Sequence, residues 1–86
     1  MKMKLLKFYA PWCAPCKALG VVMSRVKHDL PVAEINIDES RDTAVFYGVR
    51  SVPTLILIDE NENIINKKSG AMTDEAFKEF IGAAND

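Results

Sequence analysis

Eighty-six residues supply one hydrophobic core and are too few for two, since small domains run to about 100 residues, so 1–86 reads as a single domain. Hydrophobic residues make up 49% of the chain and charged residues 27%, which excludes a disordered segment of low hydropathy and high charge. Eleven Lys and Arg against twelve Asp and Glu leave a net charge of −1, no cationic excess with which to hold nucleic acid or an anionic membrane surface.

KLLKFYA, Lys4 to Ala10, reads as an interior strand, apolar on both faces as parallel pairing demands, with Lys7 as the exception. After the Pro11-Trp12 loop a helix starts near Cys13 and runs to about Asp29, with Leu19, Val22, Met23, Val26 and Leu30 at helical spacing. Pro15 is tolerated in its first turn and Pro31 stops it. Val32 to Asp38 is the next strand. Ser40 caps a short helix carrying Ala44, Val45 and Phe46, which Gly48 closes. LILI, Leu55 to Ile58, turns through Asp59 to Glu62 into an antiparallel partner at Asn63 to Lys68, which Ser69-Gly70-Ala71 breaks. Thr73 then caps a last helix, with Asp74 and Glu75 in its positive first turn and Phe77, Phe80, Ile81 and Ala84 in one apolar stripe. The order β-α-β-α-β-β-α is an α/β fold, a mixed four-stranded sheet with helices on both faces.

No apolar run approaches the roughly 20 residues of a membrane helix, and LLKFYA is too short and lysine-broken for a secretory leader, so the cytoplasm is expected. The two cysteines, Cys13 and Cys16, cannot form the multi-bridge framework of small secreted domains and read as chemistry. At positions i and i+3 of a helix start, one sulfur lies beside free backbone N–H groups and the positive end of the helix dipole. That setting favours thiolate over thiol and lowers the pKa from about 8.5 into the range of roughly 3.5 to 7.5. The exposed first sulfur is then a nucleophile, and the second, one turn in, can resolve a mixed disulfide. Half a zinc site, a structural bridge and two buried thiols compete with this reading. Zinc prefers four N or S ligands, and His28, the one histidine, would sit at the far end of the same helix.

FYAPWCAPCK, Phe8 to Lys17, resembles the active-site segment of the thioredoxin family, whose usual core is W-C-G-P-C-K. INID at Ile35 to Asp38, YGVRSVPTL at Tyr47 to Leu55 and SGA at Ser69 to Ala71 resemble the family's later motifs, in order, across essentially the whole chain. The family's opening strand and helix are absent from these residues, leaving a glutaredoxin-sized core. Ala14 stands where the family usually has glycine, and Val21, after Gly20, where a kinking proline is common.

The resemblance implies a thiol–disulfide oxidoreductase that reduces protein disulfides, with Cys13 as nucleophile, Cys16 as resolving thiol, and Trp12, Ala14 and Pro15 shaping the surface around them. It also makes Pro53 a cis-proline facing the cysteines, so that the Val52 backbone, Gly70 and Ala71 offer an apolar ledge to an extended substrate. Disulfide-containing proteins and thioredoxin reductase are the implied partners of a monomer. No cofactor is bound; the Cys13–Cys16 disulfide is reversible and takes its electrons from NADPH through the reductase. The alternatives are a glutaredoxin-like protein recycled by glutathione, or a thioredoxin-like binding subunit used for its surface.

Members of the family usually bury an aspartate at the position of Lys7 and carry a lysine at that of Glu34. Here the charges are exchanged. Strand alternation places Lys7 and Glu34 on one covered face of adjacent strands, where a pair would leave a carboxylate near Cys16 to accept its proton. His28 reads as a cation near a helix C-terminus, and Lys17 as a lysine that is either solvated or placed to help substrate electrostatics.

Overall fold

The computed structural model describes residues 2–85, so the two end residues of the 1–86 reading lie outside it. In chain order the elements are β1 (Met3–Tyr9), α1 (Ala14–Arg25), β2 (Val32–Asn36), α2 (Arg41–Phe46), β3 (Thr54–Asp59), β4 (Ile64–Ser69) and α3 (Asp74–Gly82), which ends in a 3-10 turn over Ala83–Asn85. The sheet order is β2-β1-β3-β4. β1 is parallel to β2, from Leu5 opposite Val32 to Tyr9 opposite Asn36. Its other edge is antiparallel to β3, which pairs antiparallel with β4. This is the mixed four-stranded sheet that the sequence pattern predicts.

Side-chain alternation along β1 and β3 divides the core in two. Leu5, Leu55 and Leu57 meet Leu19, Val22 and Met23 of α1 and Phe77 and Phe80 of α3 on one face. Leu6, Phe8, Ile56 and Ile58 meet Ala44 and Tyr47 on the other. Phe77 is fully buried, and truncating such a side chain to alanine costs about 3 to 5 kcal/mol.

Two expectations are corrected. α1 ends at Arg25 and not near Asp29: Val26 is already extended, and its N–H still closes onto the Val22 carbonyl. His28 therefore lies beyond the helix. Its Nδ1 accepts the Leu30 N–H at 3.1 Å and its ring meets Phe77 edge-on, so a side chain satisfies the backbone where another helical turn would have done so. Ser40 occupies the N-cap position of α2 without a side-chain cap bond; its carbonyl accepts from Ala44 N–H. The far end of α2 is closed by Gly48 at φ +67° and by Lys67 of β4, whose Nζ donates to the Tyr47 and Gly48 carbonyls at 3.0 Å each. That cation satisfies two carbonyls that the helix end leaves free.

Carboxylates fix two other junctions. Asp59 accepts from the Asn61 and Asn63 backbone N–H groups and from Asn63 Nδ2, holding the β3–β4 turn. Asp74, in the first turn of α3 behind the Thr73 cap, forms a two-pronged pair with Arg25 at 2.7 and 3.0 Å. Hydrogen bonds from Asn63 hold the Asp59 carboxyl below its ordinary value, and those from Arg25 do the same for Asp74. A depressed folded-state pKa contributes stability that is complete above about pH 4 and lost as pH falls through the lower folded value. Urea midpoints should therefore fall below pH 4, and an Asp59→Asn, Asp74→Asn double variant should show a flatter acid limb than the parent.

Candidate active site

β1 delivers the chain to the dithiol. After Tyr9 the strand gives way to Ala10, Pro11 and Trp12, and the Cys13 N–H donates to the Ala10 carbonyl at 3.1 Å. Cys13 is the N-cap of α1, and its Sγ accepts the Cys16 N–H at 3.2 Å, in the place where a serine or aspartate oxygen usually sits. Cys13 and Cys16 are joined as a disulfide, with Cα atoms 5.3 Å apart. Accessibility does not distinguish the sulfurs in the way the sequence reading expects, since Cys13 is 4% exposed and Cys16 2%. Their relation to the helix does: Cys13 receives the hydrogen bond at the helix start, and Cys16 lies inside the first turn.

Ala10 and the two cysteines form a small buried cluster with Tyr9, Ile37 and Val52 packed against it. Ala14 and Pro15 are exposed as the first residues of α1. Trp12 is 70% exposed, and its Nε1 donates to Asp38 Oδ2 at 3.2 Å, so the indole is held beside the dithiol by the loop that follows β2. The Val52–Pro53 peptide is cis, and Pro53 is fully buried. The Gly70 N–H donates to the Pro53 carbonyl at 2.8 Å. Gly70 has φ +94°, a conformation a side chain would strain, and this turn carries exposed Ala71 past Pro53. Trp12, Val52 and the Gly70-Ala71 turn thus belong to three separate loops gathered by one sheet.

Behind Cys16 a cavity of about 210 Å³ is lined by Lys7, Tyr9, Ala10, Pro11, Lys17 and Glu34 as well. Lys7 and Glu34 are register partners, and their side chains meet at 3.3 Å. The face they share is covered unequally: the Lys7 side chain is 8% exposed and that of Glu34 60%. β2 is an edge strand, which leaves Glu34 at the rim and Lys7 inside. Lys7 Nζ also lies 5.9 Å from the centre of the Tyr9 ring. Among the described residues no three His, Cys, Asp or Glu side chains converge as metal ligands.

Two partners are not evident from the residues alone, Asp38 as the anchor of Trp12 and Gly20 as a neighbour of Lys7. The signal for Gly20 is a glycine in mid-helix, which costs about 1 kcal/mol relative to alanine and so points to a packing requirement.

A sulfur pair closing the start of a helix, beside loops that leave an apolar ledge open, is the working arrangement of a thiol–disulfide oxidoreductase, and the chain is of that class. A family model described as Thioredoxin matches residues 1–83. Thioredoxin from Pseudomonas aeruginosa is 39% identical over 83 residues, covering 92% of this chain and 76% of that protein. Thioredoxin from Bacillus subtilis is 35% identical over 81 residues, 90% of this chain and 77% of its own length. A mutant thioredoxin from Halobacterium salinarum superimposes with a TM-score of 0.85 at 35% identity, over 95% of this chain and 74% of that one. The chain belongs to the thioredoxin family, whose members reduce disulfides through a redox-active cysteine pair.

The unequal cover of the ion pair sets an unequal cost for breaking it. Glu34→Gln strands a buried ammonium with little beyond the Tyr9 ring to offset its charge and should lower stability by about 1 to 3 kcal/mol. Lys7→Met strands a carboxylate already in water and fills the site with apolar volume, so its loss should be smaller. Chemical denaturation of the two oxidised variants checks the order.

Proposed function

We propose that the protein reduces disulfides in other proteins by an exchange that begins at Cys13 and ends at Cys16. In the reduced form, Cys13 thiolate at the α1 N-terminus attacks one sulfur of a substrate disulfide. A Cys13–substrate disulfide forms, and the other substrate sulfur leaves as thiolate and takes a proton. Cys16 then loses its proton and attacks the Cys13 sulfur, closing the Cys13–Cys16 bond and expelling the second substrate thiolate, which is protonated in turn. Two electrons pass from the protein dithiol to the substrate. The observation that carries the assignment is the Cys16 N–H aimed at Cys13 Sγ at the start of a helix, since that hydrogen bond and the helix dipole both favour the anion at Cys13.

The extended substrate chain lies along the Val52 backbone and Pro53, with Trp12, Ala14 and Pro15 on one side and Gly70 and Ala71 on the other, and is recognised by main-chain pairing at the edge beside the disulfide. Glu34, which lines the cavity behind Cys16, accepts the proton of the resolving thiol. The electron source is NADPH through a flavoprotein thioredoxin reductase, and the protein works as a monomer in the cytoplasm without a bound cofactor. No helix among the described residues is long and apolar enough to cross a membrane.

Insulin reduction driven by NADPH and thioredoxin reductase should turn over, while glutathione with glutathione reductase should not sustain it; the reverse result would assign the protein to glutathione recycling. Cys16→Ser should accumulate mixed disulfides through Cys13, which mass mapping would locate, and Cys13→Ser should trap almost none. Glu34→Gln should slow release of the mixed disulfide more than its formation, as measured by stopped-flow kinetics.

A further inference from the structure

Lys7 is the one buried lysine among the described residues, and it is placed by three independent features. β1 carries it inward under α1; Glu34 contacts its Nζ at 3.3 Å; and α1 has a glycine opposite it. A Cβ built at Gly20 would stand 3.0 Å from Lys7 Nζ. Gly20 has no left-handed φ to explain it; its lack of a side chain leaves a notch in which the ammonium rests. Gly20 is one turn beyond Cys16 on the same helix face, and Lys7 and Cys16 line the same cavity.

We propose that Lys7 is a positioning residue for the resolving step, its notched ammonium holding Cys16 as thiolate when the mixed disulfide must be opened. The inference rests on Cys16 being the resolving thiol. The other titratable or charged groups lining that cavity are Glu34 of β2, Tyr9 of β1 and Lys17 of α1. Lys17 is exposed and its charge is screened by water. Glu34 opposes Lys7 from the rim, and Lys7 is the one cation among these lining groups that is shielded from water. A cation beside a thiolate lowers the pH at which it forms, and one pKa unit is a tenfold change in thiolate at a fixed pH below the midpoint.

The test titrates Cys16 alone, by thiolate absorbance and pH-dependent alkylation in a Cys13→Ser background. Lys7→Met should raise the Cys16 midpoint by about one unit. With Cys13 restored, the same change should slow release of a mixed disulfide with a small aromatic thiol about threefold at neutral pH, the tenfold loss of thiolate being partly offset by the greater nucleophilicity of the higher-pKa sulfur, with the deficit closing as pH rises. The reduction potential should become more negative only where Cys16 is ionised, by about 30 mV for that tenfold change. Gly20→Ala, which favours the helix and displaces the ammonium toward Glu34, should move the midpoint the same way by a smaller amount; should Lys7→Met fail to fold, this variant decides alone. A Cys16 midpoint unmoved in Lys7→Met, or unmoved or lowered in Gly20→Ala, overturns the proposal. Mass-mapped labelling of the reduced parent reports separately on the underlying reading: if Cys16 is alkylated first, the order of the two cysteines fails, whatever the Lys7 result.

Discussion

The site depends on the double pairing of β1. Among the described residues it is the one strand with a parallel neighbour on one edge and an antiparallel neighbour on the other. Parallel pairing with β2 requires a crossover, and that crossover is α1; the helix start that polarises Cys13 therefore sits where β1 ends. Antiparallel pairing with β3 brings the start of β3, preceded by Val52 and Pro53, to the same end of the sheet, since Phe8 lies opposite Thr54. Thr54 is also opposite Ser69, which carries the Gly70 turn there as well. Three loops distant in sequence thus converge because one strand fixes the polarity of its neighbours.

Buried pairing along β1 also explains how a lysine is tolerated in the middle of the strand. An isolated ammonium in the apolar layer would be strongly unfavourable. Lys7 avoids that by lying toward the edge strand, where Glu34 reaches it from water and Gly20 makes room. Move Lys7 two residues along, to the place of Leu5, and it would be surrounded by Leu19, Leu55 and Leu57 in the larger core cluster with no carboxylate in register. Position in the sheet, more than charge itself, decides whether this side chain is a defect or a functional group.

Much of this was legible in the residues. Hydrophobic periodicity together with cap and turn residues identifies the seven main elements, and strand alternation puts Lys7 and Glu34 on one face. The end of α1 is not legible in the spacing because Val26 and Leu30 continue the helical pattern after the helix has stopped, and both pack on the core. Beyond the helix end the His28 ring nitrogen takes the Leu30 N–H, and no spacing rule shows a side chain replacing a backbone acceptor. Alternation likewise gives the face of a residue but not its depth. Alternation alone would cover Glu34 as well as Lys7, whereas β2 is an edge strand, a property of sheet order that one strand's sequence does not display. The Trp12–Asp38 bond is beyond reach for a related reason, because it joins two loops whose approach is set by the β1–β2 register.

Ala14 shows where the family resemblance and the physical reading meet. The residue between the cysteines that is usually glycine in the family carries a methyl group here, yet Cys13 still caps α1 and Ala14 takes the first helical position. Alanine is the best helix former and glycine among the worst, by roughly 1 kcal/mol. The exchange therefore biases this segment toward a formed first turn in both redox states. In the oxidised structure that turn already places the Cys16 N–H on Cys13 Sγ, so the donor that would favour a Cys13 anion belongs to the helix and not to the sulfur–sulfur bond. The same rigidity keeps Cys16 over the Lys7 cavity. The two sulfurs of one helical turn then meet different surroundings, the Cys16 backbone N–H at the first and the cavity shared with Lys7 at the second.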